Sequence, residues 1–218
     1  MRADAIPDEA VPEPVRLLRD FVNTAEPQTG DEALTSPDAL AGWCRDRGLL
    51  PPGATLGAAD LATARAVREG LRELLLTHAG HLGPDGPGAR DAPGHPGPDR
   101  PGARDAPGHP GPDGPAALDA ALGRVPLRAS FDGSGELRLR AADGGPAGAV
   151  VAGLLDAVRR AGRDGSWDRL KVCARDSCRW AFYDTSRNRS GRWCSMAGCG
   201  NQVKMRRAHA RRRAATPG

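Results

Sequence analysis

Residues 173–199 read CARDSCRWAFYDTSRNRSGRWCSMAGC, two Cys-x4-Cys pairs, Cys173/Cys178 and Cys194/Cys199, separated by a fifteen-residue spacer. Each pair forms a turn that aims two thiolates at one point. Four soft ligands in tetrahedral array close a site that leaves no position for water or substrate. The pattern implies one zinc ion on Cys173, Cys178, Cys194 and Cys199, structural and not catalytic. The fifth cysteine, Cys44, stands far away beside Trp43 and reads as a buried small hydrophobe, not a redox sensor. No run approaches the roughly 18 apolar residues of a membrane span, and the start MRADAIPDEAVPEP lacks the apolar stretch of a signal peptide. The expected location is cytoplasmic, with no membrane segment. In a reducing compartment, clustered cysteines serve metal before disulfides.

Between the pairs, Trp180–Tyr183 and Arg192–Trp193 have strand character and flank a polar turn at 186–191, so they are expected to pair as a hairpin. A helix should follow from about Gly200 to Arg213. Knuckle, hairpin and helix is the order of treble-clef-like fingers. So short a stretch cannot bury enough surface to fold without metal. Trp180 and Trp193 are expected to form the finger's miniature core, and Trp167 to pack a domain junction.

Charge divides the chain at the same place. The formal net charge of +4 resolves into +11 for residues 169–218, where Asp176 and Asp184 are the only acids, and −7 for residues 1–168. Four thiolates and one Zn²⁺ would still leave the C-terminal part at about +9. On a helical wheel Lys204, Arg207 and Arg211 fall together, with Arg206 and Arg213 as a second stripe beyond Val203 and Ala210. No wide apolar face remains. A helix that repels itself and packs little is expected to be ordered by a polyanion. Lys204, Arg206, Arg207, Arg211, Arg212 and Arg213, with Arg187, Arg189 and Arg192 in the finger's loop, are therefore the expected nucleic-acid contacts, and DNA is the expected partner. RNA or an acidic protein is the alternative.

Upstream, Glu13–Ala25 reads as a helix with Val15, Leu18, Phe21 and Val22 on one stripe. Ser36-Pro37-Asp38 opens a second helix that Gly48 stops. A third runs from about Ala58 to Ala79, lined by Leu61, Ala64, Val67, Leu71, Leu74 and Leu75 and closed by Gly80. Then GPDGPGARDAPGHP at 83–96 is repeated as GPDRPGARDAPGHP at 97–110. Proline and glycine at this density deny both helix and ladder bonds, so 82–115 is expected to be a disordered insert, and His95 and His109 to be solvated. Folding resumes with a helix around Ala116–Leu122 and a hairpin, 127–131 with 136–140, turning at Asp132–Gly135. A last helix, about Pro146–Ala161, ends at Gly162. The fold class is α+β: a mostly helical N-terminal domain (1–165) with a β-hairpin, then a small treble-clef-like zinc finger (166–214) with a basic C-terminal helix.

These residues resemble a family. Cys173, Cys178-Arg-Trp180, Phe182-Tyr-Asp-Thr-Ser186, Arg192-Trp-Cys-Ser-Met196 and Cys199-Gly-Asn201 are similar to the CGNR-type zinc finger. Asp20-Phe-Val-Asn-Thr24, Leu40-Ala-Gly-Trp43 before Gly48-Leu-Leu50, and the helix Arg65–Leu75 are similar to the ABATE domain that precedes it in bacterial proteins described as stress-induced transcription regulators. The resemblance implies four cysteines on zinc and a basic finger that binds DNA. Gln202 stands where the family motif ends in arginine, and the duplicated insert is not a family feature. The N-terminal domain is then expected to sense a small molecule or to pair two copies. Asp20, Asn23 and Thr24 could line a pocket, although helix-end hydrogen bonds account for them more simply. No nucleophile, base and acid set, phosphate loop or open metal site is visible, so no enzymatic activity is expected.

Overall fold

The computed structural model describes residues 8–78 and 114–214. The expectations for the duplicated insert, for His95 and His109 and for a stop at Gly80 lie outside them. Helices α1 (Glu13–Val22), α2 (Pro37–Arg45), α3 (Ala58–His78), α4 (Gly114–Leu122) and α5 (Pro146–Arg163) precede the finger, and α6 (Asn201–Ala214) ends it. Three two-stranded antiparallel sheets accompany them: β1 (Ala25–Glu26) with β2 (Asp31–Glu32), β3 (Leu127–Phe131) with β4 (Leu137–Ala141), and β5 (Leu170–Val172) with β6 (Ala181–Tyr183). The expected α+β class holds.

Local chemistry sets most boundaries. The Ser36 hydroxyl accepts the amide of Ala39 at 3.1 Å, capping α2. At the other end Gly48 adopts φ +67°, and the amides of Gly48 and Leu49 return to the carbonyls of Arg45 and Cys44, a left-handed closure that glycine makes without strain. Other boundaries move from their expected places, β4 and α6 by a single residue. Helix α1 stops at Val22, not Ala25, because Thr24 Oγ1 donates to the Phe21 carbonyl (2.8 Å) and the chain turns into β1. Helix α5 runs through Gly162 to Arg163, and Gly165, at φ +73°, turns the chain. Helix α4 begins at Gly114, so the insert gives way to structure before residue 115.

One hydrophobic core gathers Val15, Leu18, Phe21 and Val22 of α1, Leu40 and Cys44 of α2, Val67, Leu71 and Leu75 of α3, and Val150, Leu154 and Ala157 of α5. Leu170, Val172 and Ala181 belong to that same core, so the β5–β6 sheet at the base of the finger is packed inside the helical body. At ~1.5–3 kcal/mol for each fully buried large aliphatic side chain, Leu170 and Val172 alone tie finger to body firmly. The Cys44 thiol is fully buried, and burial pushes its pKa up to about 11, which bears out the packing role expected of it. Trp43 lies against Phe21 (ring centroids 5.3 Å apart) and under the Arg47 guanidinium.

Candidate metal centre

Strand β5 delivers Cys173 and β6 receives the chain after Cys178. Leu170 faces Tyr183, Lys171 faces Phe182 and Val172 faces Ala181, and the Cys173 amide extends the ladder to the Trp180 carbonyl at 2.9 Å. The knuckle 173–178 is therefore the turn of a hairpin. Its reversal is tight: the amides of Cys178 and Arg179 both reach the Arg175 carbonyl, and Arg179 adopts φ +51°. This corrects the expected hairpin of Trp180–Tyr183 with Arg192–Trp193. Residues 192–193 form no strand; the Arg192 carbonyl accepts the Ala174 amide, at 2.9 Å, across the knuckle. The β5–β6 pairing wins because it buries Leu170, Val172 and Ala181, whereas Arg192–Trp193 offers one aromatic side chain that is half-buried beside the cysteines.

The second pair rides on a helix start. Ser195 Oγ accepts the Gly198 amide at 3.1 Å, the wide turn Met196–Gly200 follows, and α6 leaves from Asn201. A Cβ at Gly200 would meet Met196 Sδ at 2.8 Å, so a side chain there would require the exposed Met196 to move aside.

All four sulfurs come together, their Sγ atoms lying within 4.8 Å of one another. Cys178 and Cys194 sulfurs are 3.7 Å apart and those of Cys194 and Cys199 3.8 Å. A tetrahedron with Zn–S bonds of about 2.3 Å has edges of about 3.8 Å, so the spacing fits zinc; a disulfide needs about 2 Å. Amides of Cys194 and Arg175 bond Cys173, and that of Trp180 bonds Cys178, the usual support for a metal-held thiolate. The thiols also perturb one another. Hydrogen bonds from Cys173 and Cys194 hold Cys178 down to about 2, while the bond with Cys178 pushes Cys173 up to about 12 and Cys194 is driven up by both neighbours. Such a cluster cannot carry four negative charges unless a cation shares them. The residues thus hold one structural zinc ion, with Trp180 and Trp193 packed beside it, as expected.

Several buried polar groups fasten this centre to the body. The Asn23 side chain brackets Ala181, donating to its carbonyl (2.9 Å) and accepting its amide (2.8 Å). Arg72 donates to the carbonyls of Arg179, Val22 and Ala25, and Arg68 to Glu32 and Thr24. Asp20 pairs with Arg19 at 2.7 Å. Asp20, Asn23 and Thr24 are thus engaged inside the protein. Sequence reasoning missed Arg68 and Arg72, although a signal exists: they sit at i and i+4 within the apolar stripe of α3, where an arginine has to be satisfied internally.

The loop 184–191 is likewise built from inside. Lys171 Nζ contacts Asp184 at 2.7 Å and also donates to the Arg189 carbonyl, and Asp184 accepts the amides of Ser186 (2.9 Å) and Gly191 (2.8 Å). Gly191 is required there, because a Cβ would stand 2.6 Å from Asp184 Oδ1. Burial pushes the Asp184 pKa up, but the bonds from Lys171, Ser186 and Gly191 outweigh it and the net shift is downward. Its stabilising contribution is therefore complete above the ordinary value of 3.8 and disappears as pH falls through the lowered folded value. Asp184→Asn at neutral pH leaves Lys171 buried without its counter-charge and should cost about 3 kcal/mol in a denaturant titration.

The basic residues divide by setting. Arg187 is exposed; Arg189 is exposed and ion-paired to Asp168 at 2.6 Å; Arg192 is half-buried, its guanidinium 5.5 Å from the Trp193 ring. Lys204, Arg206 and Arg212 are exposed on α6, which carries Arg207, Arg211 and Arg213 as well. Among the described residues, only the turn Met196–Gly200 packs substantially against α6.

A family profile for the CGNR zinc finger matches residues 169–212. The ABATE profile, described as "Putative stress-induced transcription regulator", matches residues 16–177, about three quarters of the chain. The chain belongs to the ABATE family. Its ABATE and CGNR matches overlap at 169–177, the segment that forms β5 and brings Cys173. This ABATE protein is therefore a zinc-finger member of a family described as regulatory, with the N-terminal part and the finger interlocked at a shared strand. No curated protein matches the chain. No helix of the described residues is long and apolar enough to cross a membrane.

Proposed function

We propose that this ABATE protein is a transcription regulator that binds duplex DNA through α6 and the loop 184–191, mainly by phosphate contacts. The observation that carries the reading is α6 itself: fourteen residues with six Lys/Arg and no acid, packed, among the described elements, mainly on the turn that launches it. At 1.5 Å per residue it is about 21 Å long, and its about 10–12 Å diameter suits the major groove of B-DNA. Arg187 extends the positive surface from the loop. Zinc has its coordination filled by protein sulfur, so it supplies rigidity and the protein acts by binding, not by catalysis. The helical N-terminal part serves as the body to which the finger is fixed.

Titrating duplex DNA against salt tests this. About six phosphate contacts give a log–log slope of binding near −5, and replacing Lys204 and Arg206 together by glutamine should flatten it by about two. Absence of duplex binding at low salt would sink the proposal. So would tighter binding to single-stranded RNA or to an acidic protein under the same conditions.

A further inference from the structure

Arg175 lies between the two cysteines of the knuckle, yet its side chain leaves the pair it belongs to. Its Nη1 stands 3.7 Å from Cys199 Sγ, in the other pair, while its backbone amide bonds Cys173 Sγ. One residue thus donates to a sulfur of each Cys-x4-Cys pair. The same Nη1 is 3.5 Å from Gln28 Oε1, in the turn between β1 and β2. Its Nε is buried with no hydrogen-bond partner among the described residues, while the residue as a whole is half-buried.

Four thiolates around one Zn²⁺ carry a net charge of −2. Three of those sulfurs belong to buried residues, Cys173, Cys178 and Cys199, where uncompensated negative charge is costly. A guanidinium placed on one sulfur lowers its nucleophilicity, because the N–H donor engages a sulfur lone pair and the positive charge stabilises the thiolate. From this geometry we propose that Arg175 is a positioning residue of the zinc centre. Its guanidinium holds Cys199 on the metal and shields that thiolate from electrophiles. The inference rests on the metal site alone and stands or falls independently of nucleic-acid binding.

The test uses the full-length zinc-loaded protein and two readouts. Zinc transfer to a chromophoric chelator should be about 10-fold faster for Arg175→Ala than for wild type, with Arg175→Lys between them. Gln28→Ala should release zinc at the wild-type rate. Mapping alkylation by iodoacetamide should show the rise concentrated at Cys199, with Cys194 reacting at its wild-type rate. That selectivity distinguishes a sulfur contact from a general loosening of the fold. Should Arg175→Ala fail to fold, the lysine variant carries the test, its Cys199 alkylation rising by a smaller factor. Zinc release within twofold of wild type in every folded Arg175 variant overturns the proposal. So does equal acceleration in Gln28→Ala, or alkylation that rises equally at Cys194 and Cys199.

Discussion

Removal of zinc is expected to unfold residues 194–214 while leaving β5 and β6 in place. The division follows from where each half of the finger gets its stability. Leu170, Val172 and Ala181 are fully buried in the core of the helical body, and Asn23 and Arg72 hold the backbone at Ala181 and Arg179. Beyond Tyr183, by contrast, Cys199 is the only buried hydrophobic among the described residues, and Cys194 and Trp193 pack on the same small cluster. Arg169, Lys171 and Asp168 hold the loop 184–191 to β5 and the turn before it, so metal is the main fastening from Cys194 onward. Structural zinc contributes about 10–16 kcal/mol of apparent binding free energy in isolated fingers, more than α6 can replace with any packing of its own. Cys199→Ser and Cys194→Ser should each lower the zinc content of the purified protein from one equivalent to below about half. Hydrogen exchange of the chelated protein should then show amide protection kept at 170–172 and 181–183 and lost from 194 to 214. Full zinc content in either serine variant, or undiminished protection of α6 after chelation, would refute the expectation.

That division marks where sequence reasoning succeeds and where it stops. Signals confined to a few neighbouring residues were legible. Ser36 and Gly48 bound α2 because a cap and a left-handed glycine are local devices, and the two Cys-x4-Cys pairs place four sulfurs at zinc spacing whatever the rest does. Asp132 likewise closes the β3–β4 turn with its own carboxylate, accepting the amides of Ser134 and Glu136. Partner choice between distant segments was not legible. Leu170-Lys-Val172 is three residues long, too short for a periodicity, and its role as the mate of β6 emerges only when the helical body covers it. Gly162 and Gly165 look alike as helix stops, yet only Gly165 takes a positive φ, since the last turn of α5 still packs Ala161 into the core. Even the charged loop misleads when read alone. Arg187, Arg189 and Arg192 look equivalent in sequence, but Arg189 meets Asp168 and Arg192 leans on Trp193, which leaves Arg187 as the loop's clearest outward charge.

Replacing Arg72 by alanine should cost about 3–5 kcal/mol and lower the melting temperature by roughly 10 °C. Arg72 is 4% exposed, and burial works against its charge, lowering its pKa; an arginine nonetheless stays protonated at neutral pH. What compensates is a full set of partners. Nη2 donates to the carbonyls of Val22 (2.6 Å) and Ala25 (3.1 Å), Nη1 to that of Arg179 (2.8 Å), and Nε to Glu69 (3.0 Å). Truncation strands three carbonyls at once, two of them buried, at the end of α1, the start of β1 and the left-handed residue behind Cys178. Arg72→Lys should recover little of the loss, since one ammonium cannot span groups that a planar fork reaches from two sides. A double-mutant cycle with Asn23→Ala makes the claim specific to the junction. Asn23 grips Ala181 two residues from the Arg179 carbonyl, so the two losses should be non-additive by about 1 kcal/mol or more if both side chains hold the same strand. Additive losses would mean that Arg72 merely closes the end of α1. A melting temperature within a degree or two of wild type would mean that the junction stands without it. Coupling between these two positions is also what a rigid union of body and finger requires: any ligand or second copy that shifts the end of α1 would then move Cys178, and with it the launch of α6.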